Sequence, residues 1–171
     1  MDCVGAALAR GHPPGYHSCV RVLGIDYGER RIGLAISDPS GTLARPLATL
    51  QAHGDRAAQV ADVVRRLGAE DEGLGAVVVG LPGRLDGSPN EQTPRVLAFV
   101  ERLRAQVPVP VALQDERLTS VEAESRLAVR DRDWRSRKQK LDAAAAAVIL
   151  QEYLDSTAPP VAPDIGSLDL E

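Results

Sequence analysis

The spacing of apolar residues changes along this chain, and that change most constrains its fold. From Val20 onward the pattern is typical of extended strands joined by turns, with strands predicted at residues 22–25, 32–36 and 42–50. Helical spacing then alternates with short buried-strand patterns, which predicts helices from 57 to 67 and from 94 to 107 and strands at 76–79 and 109–113. Helical segments at 119–129 and 139–154 complete the pattern. The order βββαβαβα predicts a three-layer α/β domain with a mixed five-stranded sheet.

Local signals place some boundaries more closely. Pro46 lies inside the third predicted strand and favours an edge position for it, because proline cannot donate to a neighbouring strand. Thr93 is the expected N-cap of the second helix, with Pro94 at its first helical position. Charged residues from 130 to 138 are expected to separate the last two helices.

The ends of the chain lack a periodic pattern. Residues 1–19 contain Gly and Pro and are expected to form a flexible extension, whereas 20–155 form the folded domain and 156–171 a disordered acidic tail. Cys3 and Cys19 make no disulfide framework. No apolar run reaches the ~20 residues needed to span a bilayer, and no signal peptide is evident, so we expect a cytoplasmic protein without a membrane partner.

Composition excludes some classes of nucleic-acid-binding protein. The net charge is −4 and aromatic residues make up 3% of the chain, which argues against polybasic binders and against modules that stack bases on aromatic platforms. The average conceals a local excess, because residues 126–140 contain seven basic and two acidic side chains. This segment could neutralise phosphates or be a solvated linker.

Three acidic residues are candidates for a site. Asp26 ends a predicted central strand, where Gly24 and Gly28 would let a phosphate or metal approach; the alternative is a turn residue. Asp142 precedes an entirely apolar run, so its carboxylate is expected to lie at the buried end of a helix. The alternative is that Asp142 is the N-cap of that helix or an acid in its first turn. Glu116 follows the fifth strand, although it could be a solvated terminus paired with Arg117.

Clustered carboxylates repel one another unless a cation lies between them. Oxygen ligands favour Mg²⁺ or Mn²⁺, and zinc is disfavoured because His53 is the only His in the expected domain, which also lacks Cys. Paired ions of this kind can support phosphodiester hydrolysis.

Basic residues near these acids are candidates for nucleic-acid binding. Trp134, in the middle of the basic segment, could stack on an unpaired base or fold back onto its own domain. The predicted binding residues are Arg30, Arg31, Arg117, Arg130, Arg132, Trp134, Arg135, Arg137, Lys138 and Lys140.

Four sequence blocks together resemble the YqgF/RuvX family, which is related to RuvC-type Holliday-junction resolvases and has the ribonuclease H fold. The blocks are Gly24-Ile25-Asp26-Tyr27-Gly28 with Arg31-Ile32-Gly33-Leu34-Ala35; Val79-Gly80-Leu81-Pro82 with Asp86-Gly87-Ser88; Asp115-Glu116-Arg117-Leu118-Thr119-Ser120-Val121-Glu122-Ala123; and Lys140-Leu141-Asp142-Ala143 with Ile149-Leu150-Gln151.

The resemblance implies a ribonuclease H-like, metal-dependent nuclease with Asp26, Glu116 and Asp142 as its acidic site. Its substrate would be precursor 16S rRNA, processed at the 5′ end, or a branched DNA junction. Relatives of the RuvC type often carry a second acid near Asp142, where this chain has residues 143–147 as Ala.

Two other functions remain open from the sequence. One is a non-catalytic RNA-binding maturation factor with the same fold. The other is an actin-like nucleotide-binding domain, because the strand–turn–strand around Asp26 resembles the phosphate hairpin of those ATPases, which however use two such domains. Symmetric cutting of two strands would require a homodimer.

Overall fold

The computed structural model describes residues 20–82, 89–115 and 134–157, and in the last of these ranges it describes side chains from Lys140 onward. These ranges contain five strands and three helices. They are β1 (Arg21–Tyr27), β2 (Arg31–Ser37), β3 (Ala44–Gln51), α1 (Arg56–Gly68), β4 (Leu74–Leu81), α2 (Thr93–Arg104), β5 (Val111–Asp115) and α3 (Trp134–Thr157). The predicted order βββαβαβα is confirmed. None of the described helices is long and apolar enough to cross a lipid bilayer.

The five strands form one mixed sheet in the order β3-β2-β1-β4-β5. β2 is antiparallel to both β1 and β3, whereas β1 and β4, and β4 and β5, pair in parallel. β1 is therefore central, and β3 lies at an edge, as Pro46 predicts. The parallel strands β1, β4 and β5 have their carboxyl ends at the same end of the sheet, which we call its carboxyl edge.

Helices cover both faces of the sheet, which confirms the three-layer architecture. On one face, α1 and α2 pack against side chains such as Leu23 and Ile25 of β1. On the other face, Ala146, Ile149 and Leu150 of α3 pack against small or β-branched residues of the sheet. Alternation along β1 points Gly24 and Asp26 toward α3.

Two glycines let α3 lie unusually close to the sheet. A Cβ added at Gly24 would lie 2.7 Å from the Leu150 Cβ and 3.0 Å from the Ala146 carbonyl oxygen. At Gly33 of β2, a Cβ would lie 2.0 Å from the Asp142 carbonyl oxygen. Both positions require the absence of a side chain because the helix backbone occupies that space.

The predicted role of Gly24 and Gly28 as openings for a ligand is wrong. The space beside Gly24 is filled by α3, and a Cβ at Gly28 would lie 2.5 Å from the Arg31 carbonyl oxygen. The Gly28 N–H donates to that same oxygen at 2.9 Å, which closes the turn between β1 and β2. The glycines therefore serve helix packing and a tight turn.

Several predicted boundaries also differ from the structure. α3 begins at Trp134 rather than 139 and continues to Thr157, so part of the expected charged break and the first residues of the expected tail are helical. Arg and Lys are among the better helix-forming residues, so a basic run does not by itself end a helix. β5 begins at Val111, directly after Pro110, which has no N–H to donate. The predicted helix at 119–129 and the extension at 1–19 lie outside the described residues.

Thr93 is the first residue of α2 and not its N-cap, which is Gln92. The Asn90 side-chain oxygen accepts hydrogen bonds from the N–H groups of Gln92 and Thr93, both at 2.9 Å. The Thr93 hydroxyl in turn donates to the Pro82 carbonyl at 2.7 Å. Asn90 thus accepts the hydrogen bonds at the start of α2 that were expected of Thr93. The Thr93 hydroxyl instead links the start of α2 to the residue that follows β4. Pro94 lies in the first turn, as predicted.

Candidate carboxylate site

Asp26 is the penultimate residue of the central strand β1, at the sheet edge where β1, β4 and β5 end. Its Cα pairs across the antiparallel ladder with Gly33 of β2. Because Asp26 is paired within the strand ladder, it is not the turn residue that the sequence left open. Its side chain is directed to the face that α3 covers.

Asp142 is the ninth residue of α3 and lies in the third turn of the helix. This position excludes both the N-cap and the first-turn acid that the sequence left open, because α3 begins eight residues earlier. The backbone of Asp142 lies directly against Gly33. Since Gly33 is the ladder partner of Asp26, the close packing of α3 on β2 brings the two acids to the same place.

The electrostatics of Asp26 reflect this arrangement. Burial of the Asp26 side chain is the larger cause, and the negative charge of Asp142 the smaller, of a rise in the pKa of Asp26 from 3.8 to about 6. Both causes disfavour the carboxylate form. A cation between the two acids would reverse this effect, because it lowers the free energy of the ionised carboxylate.

Arg31 of β2 is the immediate partner of Asp142. Its Nε lies 2.6 Å from the Asp142 Oδ2, and the two side chains are 19% and 27% exposed. The contact lacks hydrogen-bond alignment, and neither buried atom makes a hydrogen bond to another described group. Asp142 Oδ2 therefore keeps unused acceptor capacity, although it is charge-compensated. The role predicted for Arg31 in nucleic-acid binding stays a prediction, with this ion pair as its described contact.

The residues present fit a hard divalent cation in part. Two carboxylates converge, one with a raised pKa and one with an unsatisfied buried oxygen. No group of three or more His, Cys, Asp or Glu side chains arranged for a metal occurs among the described residues. The third predicted ligand, Glu116, lies outside them, but β5 ends at Asp115, the residue before it, at the same sheet edge as Asp26.

The other predicted binding residues are only partly described. Arg30 is exposed in the turn between β1 and β2, and Lys140 is exposed on α3. The backbone of Trp134, Arg135, Arg137 and Lys138 is helical. Arg117, Arg130 and Arg132 lie outside the described residues. Nucleic-acid contacts of all these residues remain predictions.

Comparison with known proteins agrees with the resemblance. A family model described as RuvX, Holliday junction resolvase, matches residues 20–156. The chain belongs to the RuvX family. The matched range contains every strand and most of every helix described above.

Two relatives of this RuvX chain illustrate its similarity to known proteins. A protein from Thermoanaerobacter pseudethanolicus is 39% identical over 138 residues, 80% of this chain and 97% of that one. A protein from Anaeromyxobacter dehalogenans is 43% identical over 142 residues, 82% of this chain and all of that one. Both bear the name "Putative pre-16S rRNA nuclease". Among solved structures, Thermus thermophilus RuvC with a Holliday junction substrate aligns with a TM-score of 0.47 and 17% identity over 81% of this chain and 96% of that chain.

Proposed function

We propose that this protein is a divalent-metal-dependent nuclease that hydrolyses phosphodiester bonds in structured nucleic acid. The observation that carries the proposal is the convergence of two partly buried carboxylates, Asp26 and Asp142, at the carboxyl edge of the sheet. Arg31 compensates the charge of Asp142, and burial of the second negative charge, on Asp26, still costs free energy unless a further cation compensates it. Such a cost is typical of functional sites.

The residues of the site share three tasks, which are metal binding, charge balance and spacing of the acids. Asp26 and Asp142 supply oxygen ligands for Mg²⁺ or Mn²⁺, and Glu116 supplies a third. A bound divalent ion in such a site supplies Lewis-acid stabilisation of the phosphate and of its leaving oxygen. Arg31 balances the charge of Asp142 and restrains its side chain. Gly33 sets the separation of the acids by allowing the helix to touch the strand.

The substrate we infer is precursor 16S rRNA, processed near its 5′ end. The names of relatives that match this chain over nearly their whole length support this choice. The family description supports a second candidate, a four-way DNA junction. In either case the exposed Arg30 and Lys140, together with the basic side chains from 130 to 138, would contact backbone phosphates. Symmetric junction cutting would also require a dimer.

A cleavage assay tests the proposal and separates it from its competitors. Purified protein is incubated with Mg²⁺ or Mn²⁺ and labelled precursor 16S leader RNA, four-way junction, flap and single-stranded DNA. We expect cleavage of the leader RNA that is lost in Asp26→Asn and Asp142→Asn. Asp62→Asn is the matched control, because Asp62 is an exposed acid on α1 and should leave cleavage unchanged.

The other outcomes each identify a competitor. Tight RNA binding without cleavage at any metal concentration would contradict the nuclease and favour a non-catalytic maturation factor. ATP binding without cleavage would favour the nucleotide-binding domain. Cleavage of the junction alone would replace rRNA by DNA as the substrate, whereas equal cleavage by wild type and both site variants would refute the assigned residues.

A further inference from the structure

A cavity lies at the carboxyl end of β1, on the face of the sheet that α1 and α2 cover. Its volume is about 390 Å³, within the range of ~300–1,000 Å³ typical of ligand pockets. Its lining includes Tyr27, Asp55, Arg56, Arg95, Phe99 and Arg102. Three guanidinium groups from two helices therefore surround one cavity. Asp55 in the same lining pairs with Arg102 and compensates one of the three positive charges, so the lining keeps a net positive charge that favours an anion.

Of the three arginines, Arg56 gives the strongest support for an anion site. Its guanidinium lies 5.2 Å from the centre of the Tyr27 ring, and it donates to the Tyr27 hydroxyl at 2.5 Å and to the Glu29 carbonyl at 2.6 Å. Both acceptors are uncharged, and Arg56 forms no ion pair with any carboxylate among the residues that the structure describes. Arg56 is thus held in place by an aromatic ring and two neutral acceptors, with no carboxylate partner among the described residues.

Arg95 and Arg102 each form an ion pair with a carboxylate, and a phosphate could replace that carboxylate as the partner. Arg95 contacts Glu29, and Arg102 lies 2.9 Å from Asp55; the two arginine side chains are 63% and 64% exposed. Exposed ion pairs contribute only ~0–1 kcal/mol, whereas phosphate can accept two parallel bonds from one guanidinium. Replacement of either carboxylate by a phosphate would therefore cost little.

The start of α1 does not itself supply the positive charge. The Asp55 side chain already accepts hydrogen bonds from the N–H groups of Ala57 at 3.0 Å and Ala58 at 3.3 Å. The helix terminus is therefore capped, and the cavity depends on its arginines. Its lining also includes the aromatic rings of Tyr27 and Phe99, whose centres are 4.7 Å apart.

We propose that this cavity binds a backbone phosphate of the nucleic-acid strand that is cut at the Asp26–Asp142 site. Tyr27 directly follows Asp26, so the cavity and the carboxylates lie on opposite faces of the sheet at the same edge. A strand crossing that edge would contact both. This inference rests on the proposed nuclease function and adds Arg56, Arg95 and Arg102 to its binding surface. Phosphate contacts of this kind position the strand without reading its sequence.

Binding measured separately from cleavage tests this proposal. Fluorescence anisotropy of labelled precursor 16S leader RNA is recorded in EDTA with the full chain, for Arg95→Gln/Arg102→Gln and for Arg56→Gln. The matched control is Arg65→Gln/Arg66→Gln, which removes the same charge from the far end of α1, where Arg65 forms an exposed ion pair with Asp62. Circular dichroism and thermal melting establish that each variant is folded.

The salt dependence of binding gives the expected size of the effect. Each phosphate contact to a single strand contributes ~0.7 to the slope of log K against log salt. The cavity holds one phosphate, so its loss in the Arg95/Arg102 variant should reduce the slope by ~0.7, and the affinity ratio of wild type to that variant should change about 2.6-fold between ~50 and ~200 mM salt. Arg56→Gln removes one guanidinium from around the same phosphate and should reduce the slope by ~0.7 at most, and the control should retain the wild-type slope.

The outcomes separate the cavity from the nuclease. If the Arg95/Arg102 variant keeps the slope of the control while the wild type cuts RNA with Mn²⁺, the cavity proposal is wrong and the nuclease stands. If the slope falls as expected but the wild type never cuts, the cavity binds nucleic acid and the nuclease proposal is wrong. Absence of binding by the wild type to both the leader RNA and a four-way DNA junction would overturn both.

Discussion

Replacement of Asp26 by Asn should remove most of the pH dependence of stability of the metal-free protein between about pH 4 and pH 6. The folded protein holds the Asp26 proton more tightly than the unfolded chain does, because burial and then Asp142 raise the pKa from 3.8 to about 6. In this range the native state therefore binds more protons, and the free energy of unfolding falls as pH rises. A shift of about two pKa units corresponds to ~3 kcal/mol.

The assay is urea unfolding in EDTA at several pH values from about 4 to about 8. The quantity of interest is the difference in free energy of unfolding between wild type and Asp26→Asn, followed against pH. Any constant cost of burying the amide cancels from this change. Of the ~3 kcal/mol, the wild type should lose ~2 kcal/mol relative to the variant between about pH 4 and about pH 6, ~0.4 kcal/mol more up to about pH 7, and then no more. Asp62→Asn, an exposed acid, should run parallel to the wild type.

Addition of Mn²⁺ provides the complementary measurement. Above about pH 6 the ion should restore the stability of the wild type, by ~3 kcal/mol at a concentration a hundred times its dissociation constant, and should have a much smaller effect on Asp26→Asn. Curves for wild type and Asp26→Asn that remain parallel throughout the pH range would refute the idea that Asp26 is buried beside a second acid.

Three further substitutions probe the surroundings of the site. Gly33→Ala should destabilise the fold by ~1–3 kcal/mol or more and lower the melting temperature, because its Cβ would lie 2.0 Å from the Asp142 carbonyl oxygen; an unchanged melting curve would contradict the close packing of α3. Arg31→Gln should lower the melting temperature in EDTA by leaving Asp142 without its cationic partner, and Mn²⁺ should recover most of the loss; equal loss with and without metal would contradict this reasoning. Asp38→Ala should weaken the turn before β3. The pKa of Asp38 is lowered to about 2 by hydrogen bonds, of which the one from the Leu43 N–H has the largest effect. In acid unfolding, the difference in stability between wild type and variant should therefore shrink as pH falls from about 4 to about 2.

The periodic segments of the fold could be predicted because they depend on local alternation. Strands from β1 to β5 and helices α1 and α2 appear in the predicted order, since burial on one or both faces leaves a pattern of period two or near 3.6. The start of α3 could not be predicted in the same way. Its first turns are rich in Arg and Lys, which suit an exposed helix and a solvated linker equally well.

The residue types of the site were available from the sequence, but their roles were not. Asp26, Arg31 and Asp142 all lie in the blocks that resemble the family, yet the residues alone left open whether Asp26 is a site acid or a turn residue, and whether Asp142 is a site acid or a helix cap or first-turn acid. The strand ladder and the early start of α3 exclude both alternatives. The sequence predicts that Gly24 leaves room for a ligand, whereas in the structure α3 packs there. A glycine in the sequence does not show which group occupies the space beside it.

Patterns within short stretches of chain predict the order of elements, the mixed sheet and the candidate acids. They do so because burial of one face of a strand or helix is recorded in the spacing of neighbouring side chains. The meeting of Asp26 with Asp142, the ion pair that Arg31 makes and the arginine-lined cavity beside Tyr27 depend on how helices pack on the sheet. Those contacts join residues far apart in the chain. Their geometry depends on interatomic distances of a few ångströms that packing sets and that no local pattern encodes.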